Sequence, residues 1–384
     1  MAGLKDLSNV WQSIKEMDLR PIRDEALQDV HLAIVGRPGT PKQELAWQMR
    51  RDPHRLGEET LSPIWLLDYE GDDAVLKPAL DVDLLILLVP AEQEDTLSEQ
   101  TLAQKWVDSG RRLIAILYPP TLSEPNAPTP SHSLWLAMGK QRLLFGNIND
   151  DNFLLRQFVP AVLEAIPDKH LALARQFPLF RDHVSRQLIS DGCLTNATYA
   201  FSTGLAEIVP GLNIPLNVAD VVVLTKNQAF MAYRLGLALG LSTRWQDYVT
   251  EFGGVLGSGF FWRQVARQLI GLIPAWGIIP KVAIAYAGTY VVGRVIWQWY
   301  LTGKKLTPQQ MRQLYAEAFQ KGKAWAKAML EKVPKPRLIK RKSPLRELPL
   351  PTEPFEMART CPNCGRNNAQ EARFCQYCGT HLDT

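Results

Sequence analysis

The stretch Asp29–Arg50 reads DVHLAIVG-RPGTP-KQELAWQMR. It runs from a near-continuous apolar segment, through a Gly- and Pro-containing turn, into a polar helical segment. Apolar residues without alternation are the mark of a strand buried on both faces. The same order recurs downstream. Apolar runs lie at Val30–Gly36, Pro63–Asp68, Asp83–Pro90, Arg112–Pro119 and Arg142–Ile148. Helical stretches lie at Lys42–Arg51, Glu94–Ser109 and Asn152–Ile166. Strands alternating with helices predict an α/β domain with a mostly parallel sheet over residues 29–167, after a helical lead-in at 1–28. The Pro-rich stretch Ser123–Ser133 reads as a surface loop.

The chain has 384 residues, 46% hydrophobic and 21% charged, enough apolar matter for two or three domains. Its net charge is only +4, so a basic surface must come from local clustering. Residues 168–330 carry few strand signals and long stretches of Gly, Ala, Leu and Val, which predicts an all-helical domain. Small residues four apart (Gly236 and Gly240, Gly253 and Gly257) suit close helix approach. Thr307–Leu330 reads as an amphipathic helix, with Thr307 as N-cap and Pro308 at the first helical position. Residues 331–357 form a Pro-rich linker, strongly basic over Lys335–Arg346. No secretory signal is expected from the charged segment Met1–Arg20.

Four of the five cysteines fall in residues 358–384. They form two knuckles, Cys361-Pro-Asn-Cys364-Gly365 and Cys375-Gln-Tyr-Cys378-Gly379, ten residues apart. Paired CxxC motifs without a secretory leader point to metal rather than disulfides. Four thiolates suit one tetrahedral Zn²⁺ and leave no open position, so the zinc is structural. A redox dithiol or an iron–sulfur cluster is the alternative. His381, just past the second knuckle, is expected to be a surface residue. The segment resembles bacterial zinc-ribbon families with a CPNCG…ARFCxxCG pattern, carried here by Cys361–Gly365 and Ala372–Gly379. Such ribbons are usually adaptors, so the resemblance implies a protein partner.

The turn after the first strand, Gly36-Arg-Pro-Gly39-Thr-Pro41-Lys42-Gln43, has the position and context of a phosphate-binding P-loop. Gly36 and Lys42 match it. Pro41 replaces the second glycine and removes an amide donor, and Gln43 replaces the magnesium-binding hydroxyl. Asp68-Tyr-Glu-Gly71 follows the next apolar run and matches the DxxG of small GTPases. The strand that should end in the guanine-reading motif ends instead in Tyr118-Pro119-Pro120-Thr121. Residues 29–167 therefore resemble a small-GTPase domain that has lost essential parts. Gly36, Gly39, Lys42, Asp68 and Gly71 mark the degenerate nucleotide site, and no bound nucleotide is expected.

The middle region resembles the YcjF-like helical domain of unknown function, which commonly follows GTPase domains in bacterial proteins. Gly204–Gln228, with its Pro-Gly-x-x-x-Pro core, and the stretches Gly253–Gly259 and Ile273–Pro280 carry the likeness. The resemblance implies membrane association and dynamin-like architecture. A spanning helix needs about 20 apolar residues. Gln268–Gly293 is long enough but is interrupted by Pro274, Pro280 and Lys281. Two apolar halves meeting at Pro280-Lys281 suit a re-entrant hairpin or a buried one. Trp297, Trp299 and Tyr300, followed by Lys304 and Lys305, suit a membrane interface and anionic headgroups.

No nucleophile elbow, His-Glu-x-x-His helix or carboxylate pair is present. Cys193 reads as a small buried apolar residue. The expected protein is a non-catalytic scaffold at the cytoplasmic face of a membrane, peripheral or re-entrant. It would carry a pseudo-GTPase domain that pairs with itself or with a GTPase homologue. An active NTPase using Lys42 and Asp68 is the first alternative, and a nucleic-acid-binding ribbon protein the second.

Overall fold

The computed structural model describes residues 18–53, 59–93, 95–119, 142–208, 218–248, 278–332, 359–365, 367–368, 378, 380 and 382. The loop Ser123–Ser133, the Pro-Gly-x-x-x-Pro core, Gly253–Gly259, the basic segment Lys335–Arg346, Cys375, Gly379 and His381 lie outside them. The chain divides into two compact units, Met1–Val333 and Pro334–Thr384.

In the first unit, helix α1 (Arg20–Ala26) precedes strand β1 (Leu32–Gly36) and helix α2 (Lys42–Arg50). Then come β2 (Trp65–Asp68), a 3₁₀ segment (Asp73–Ala79), β3 (Leu84–Pro90), α3 (Leu97–Asp108), β4 (Leu113–Tyr118) and β5 (Leu143–Phe145). All five strands pair in parallel, in the order β2-β1-β3-β4-β5. Each expected apolar run contains one strand. The chain leaves β1 for β2 on one side and returns to β3 on the other. This makes the carboxyl ends of β1 and β3 the topological switch point, where open α/β sheets place their sites.

Helices cover both faces of the sheet. Leu45 and Met49 of α2 pack with Leu32, Ile34, Ile86 and Ile116 on one face. Leu102 and Trp106 of α3 pack with Ala33, Val35, Leu85 and Leu87 on the other. Strands β1, β3 and β4 are buried along almost their whole length, whereas β2, at the edge, leaves Trp65 and Leu66 exposed.

The helix over 151–165, α4, contains a π-helical turn at Leu154–Phe158. There the Val159 N–H reaches back five residues to the Leu154 carbonyl. The wider turn accommodates Pro160, which lacks an N–H and crowds the preceding turn.

Among the described residues, helices α5 (His170–Gln176), α6 (Arg181–Ile208), α7 (Val218–Ala238), α8 (Ile278–Thr302) and α9 (Pro308–Lys332) follow. Helices α5, α6 and α7 share a core with the sheet, whereas the buried residues of α8 and α9 lie in separate clusters with α6 and α7. Phe177, Phe180, Tyr233 and Tyr248 lie in the same apolar cluster as Leu32, Ile34 and Ile86. The buried guanidinium of Arg181 stands 3.8 Å from the buried carboxylate of Asp52. Deeper in the bundle, the Asn196 amide donates to Thr289 Oγ1 at 2.8 Å and accepts from the Asn227 amide at 2.8 Å. This polar layer ties α6, α7 and α8 in one register. Cys193 is fully buried in the adjoining cluster, and burial pushes its thiol up to about 12.

Three expectations are refined here. The Thr307 cap forms a capping box: Thr307 Oγ1 accepts from the Gln310 N–H, and the Gln310 side chain accepts from the Thr307 N–H. Pro280-Lys281 is no junction between two halves. It lies in the first turn of the continuous helix α8, where a proline costs no hydrogen bond. Of the two glycines, Gly236 serves close approach, making room for the ring of Tyr248 in the helical stretch Trp245–Tyr248. Gly240, at φ +79°, instead ends α7 in the left-handed conformation. The Leu241 N–H closes that end on the Gly236 carbonyl at 2.9 Å. Among the described residues, α8 is long and apolar enough to cross a membrane, and most of it is buried against neighbouring helices.

Candidate functional site

Two places gather the residues singled out in the sequence. The first is the loop from β1 to α2, at the switch point. Pairing sets Gly36 level with Asp68 of β2 and Leu88 of β3. The chain then turns through Arg37-Pro38-Gly39-Thr40, with the Thr40 N–H on the Arg37 carbonyl at 3.1 Å and Gly39 at φ +80°. Proline second and glycine third is the demand of a type II turn. Next, the Lys42 N–H bonds to the Thr40 carbonyl at 2.8 Å. Pro38 and Pro41 carry no N–H at all. Among the described residues from 38 to 42, Gly39 alone keeps a backbone donor outside these bonds.

The Lys42 ammonium is likewise engaged within the loop. It donates to the Arg37 carbonyl at 2.7 Å, to Thr40 Oγ1 at 2.9 Å and to the Gly36 carbonyl at 3.3 Å. It also pairs with Asp68 Oδ1 at 2.7 Å. It is 7% exposed. Arg37 points across to α3, where it pairs with the buried Glu99 and donates to the Asp95 carbonyl at 2.8 Å. Ser98 Oγ and Gln93 Nε2 donate to the same carboxylate at 2.9 and 3.2 Å. Burial pushes the Glu99 pKa up, but the hydrogen bonds from Arg37, Gln93 and Ser98 outweigh it and hold the group below its ordinary value. Gly71, at φ +103°, closes the turn after β2.

Gly36, Lys42 and Asp68 are thus brought together, with Gly39 in the turn between them. Arg37, Thr40 and Glu99 complete the arrangement and were missed in the sequence. Pro38-Gly39 was a readable signal for a closed turn. The Arg37–Glu99 pair spans 62 residues and left none.

The second place is in the other unit. Strand β6 (Arg359–Thr360) pairs antiparallel with β7 (Asn367–Asn368) around the first knuckle. Gly365 sits at φ +70°, and its N–H closes the knuckle on the Cys361 carbonyl at 2.9 Å. The Sγ atoms of Cys361, Cys364 and Cys378 all lie within 4.8 Å of one another. Cys361 and Cys378 are 3.6 Å apart through sulfur. Sulfurs at the corners of a tetrahedron with bonds of about 2.3 Å stand roughly 3.8 Å apart, so the spacing fits zinc.

Residues 360–382 match the family model of the zinc-ribbon domain. No curated protein matches the chain. The ribbon thus has its family, and its three described cysteines supply a possible metal site. Cys375 lies outside the described residues and would be the fourth ligand by sequence. A closed set of thiolates provides structure and leaves zinc no vacant position for chemistry. Beside Cys361, which is 1% exposed, packs Leu382, the two forming an apolar cluster among the described residues of the ribbon. Asn363 and Thr380, which sequence reasoning passed over, approach Cys378: Thr380 Oγ1 is 3.2 Å from its Sγ.

Proposed function

We propose that the chain is a non-catalytic scaffold or adaptor whose zinc ribbon recruits a protein partner and whose α/β region is a pseudo-GTPase. One observation carries the second half of this reading. Lys42, which a P-loop aims at phosphate, is bonded to three atoms of its own loop and to Asp68. Pro38 and Pro41 have no amide to offer, and the Thr40 and Lys42 amides are bonded within the loop. A nucleotide would have to displace these bonds and find few donors in return.

The helical region supports a place at the cytoplasmic face of a membrane, peripheral or re-entrant, on its likeness to the YcjF-like family. The partners in this reading are an anionic lipid surface, a protein bound by the ribbon, and a second copy or a GTPase homologue. Nucleic acid ranks below them. A second reading is an active NTPase. It is favoured by the lysine and aspartate standing 2.7 Å apart at the switch point, where such enzymes hold magnesium and phosphate.

Calorimetry with GTP and ATP in the presence of Mg²⁺ separates the two. The expected outcome is no binding heat at millimolar nucleotide, in the wild type and in Lys42→Ala alike. Micromolar binding that disappears in Lys42→Ala would overturn the scaffold reading in favour of the enzyme.

A further inference from the structure

The ribbon holds a feature beyond its cysteines. Asn363 occupies the third position of the first knuckle, between Pro362 and Cys364. Its carboxamide crosses to the second knuckle. There Nδ2 donates to Thr380 Oγ1 at 3.0 Å and stands 4.0 Å from Cys378 Sγ. The Thr380 hydroxyl lies 3.2 Å from the same sulfur. A metal-bound cysteine is a thiolate and can only accept. The Asn363 amide occupies the acceptor side of the hydroxyl, so the hydroxyl proton is directed at Cys378.

We propose that Asn363 and Thr380 are positioning residues for the ribbon's zinc: they orient Cys378 and withdraw charge from its sulfur, so that this exposed thiolate resists electrophiles and oxidants. The inference rests on the zinc reading of the ribbon. A hydrogen bond to a thiolate takes up electron density that would otherwise attack a carbon or peroxide centre, and it fixes the sulfur where the metal needs it. Partners of this kind, outside the ligand set, typically change metal affinity by about 10–100-fold. Because Asn363 belongs to one knuckle and Cys378 to the other, the same contact also ties the two knuckles together.

The test uses the full chain loaded with zinc. Iodoacetamide labelling at Cys378 is followed by peptide mass spectrometry, and zinc transfer to a chromogenic chelator is timed, for the wild type, Thr380→Val, Thr380→Ser and Asn363→Ala. Thr380→Val should label Cys378 about 2–10 times faster, the effect of one hydrogen bond, and lose zinc about 10-fold more readily. Thr380→Ser keeps the hydroxyl and should restore both rates. With cobalt in place of zinc, the sulfur-to-metal charge-transfer band should move to lower energy in Thr380→Val and stay put in Thr380→Ser. Equal labelling in wild type and Thr380→Val would overturn the inference. So would a Thr380→Ser variant that behaves like Thr380→Val, since packing of the methyl group would then be the cause. A wild-type chain that holds less than one zinc would bring down the zinc reading, and this inference with it.

Discussion

The loop after β1 and the C-terminal ribbon both collect polar side chains at one point, and they do so in opposite ways. In the loop, unlike groups meet: Lys42 with Asp68 and its own carbonyls, Arg37 with Glu99. Each of these charged side chains has its counter-charge. In the ribbon, like groups meet. Three sulfurs lie within 4.8 Å of one another, an arrangement that as thiolates would call for a cation between them. Whether a cluster calls for a ligand is therefore told by the balance of its own members, more than by its match to a motif.

The largest test of this contrast is removal of the metal. A ribbon of about two dozen residues has little room for a core, so a bound zinc would supply most of its folding free energy, on the order of 10 kcal/mol. A strong chelator, or Cys361→Ser, should collapse the ribbon's amide resonances and leave the thermal transition of residues 1–333 in place. Resonances that persist without metal would end the distinction between the two sites.

A smaller effect is expected where the first unit relies on its own pairs. Asp52→Ala leaves the Arg181 guanidinium buried beside a missing carboxylate. Denaturant unfolding should show a loss of about 3–5 kcal/mol. A loss below about 1 kcal/mol would mean that internal pairing is not what holds the helices to the sheet.

The smallest effect is the pH response of the loop. Glu99 is held below its ordinary value of 4.5, so its contribution is complete above that pH and fades as the pH falls through the folded pKa. The wild type should therefore lose melting temperature between about pH 5 and 3 faster than Glu99→Gln does. Parallel curves would show that the Arg37 latch adds nothing.

Much of the sheet was legible because β1, β3 and β4 are buried on both faces and read as unbroken apolar runs. The approach of Cys361, Cys364 and Cys378 was legible because the knuckle motif is a recognisable local signal. What escaped notice was set by distance along the chain. The partners of Arg37 and Asp52 lie 62 and 129 residues away, and no local pattern announces them. The helical approach expected at Gly236 is present, but its partner was not legible. Its neighbour is the ring of Tyr248, in the short helical stretch Trp245–Tyr248 that follows α7, and not a glycine-faced helix packed along its length. Pro280 looked like a break because proline inside a helix removes a hydrogen bond, and its harmless place in the first turn of α8 depended on where the helix starts.

The core shared by sheet and helices has a consequence for synthesis. The strands are complete once Phe145 has left the ribosome, yet the cluster beneath them is closed by Phe177, Phe180, Tyr233 and Tyr248. At about 5–20 residues per second, the chain between residue 145 and residue 248 takes roughly 5–20 s to appear. For that interval part of one sheet face waits for its cover. The nascent protein is then a client for whatever shields apolar surfaces near the exit tunnel, and a pause in translation before Tyr248 lengthens its exposure.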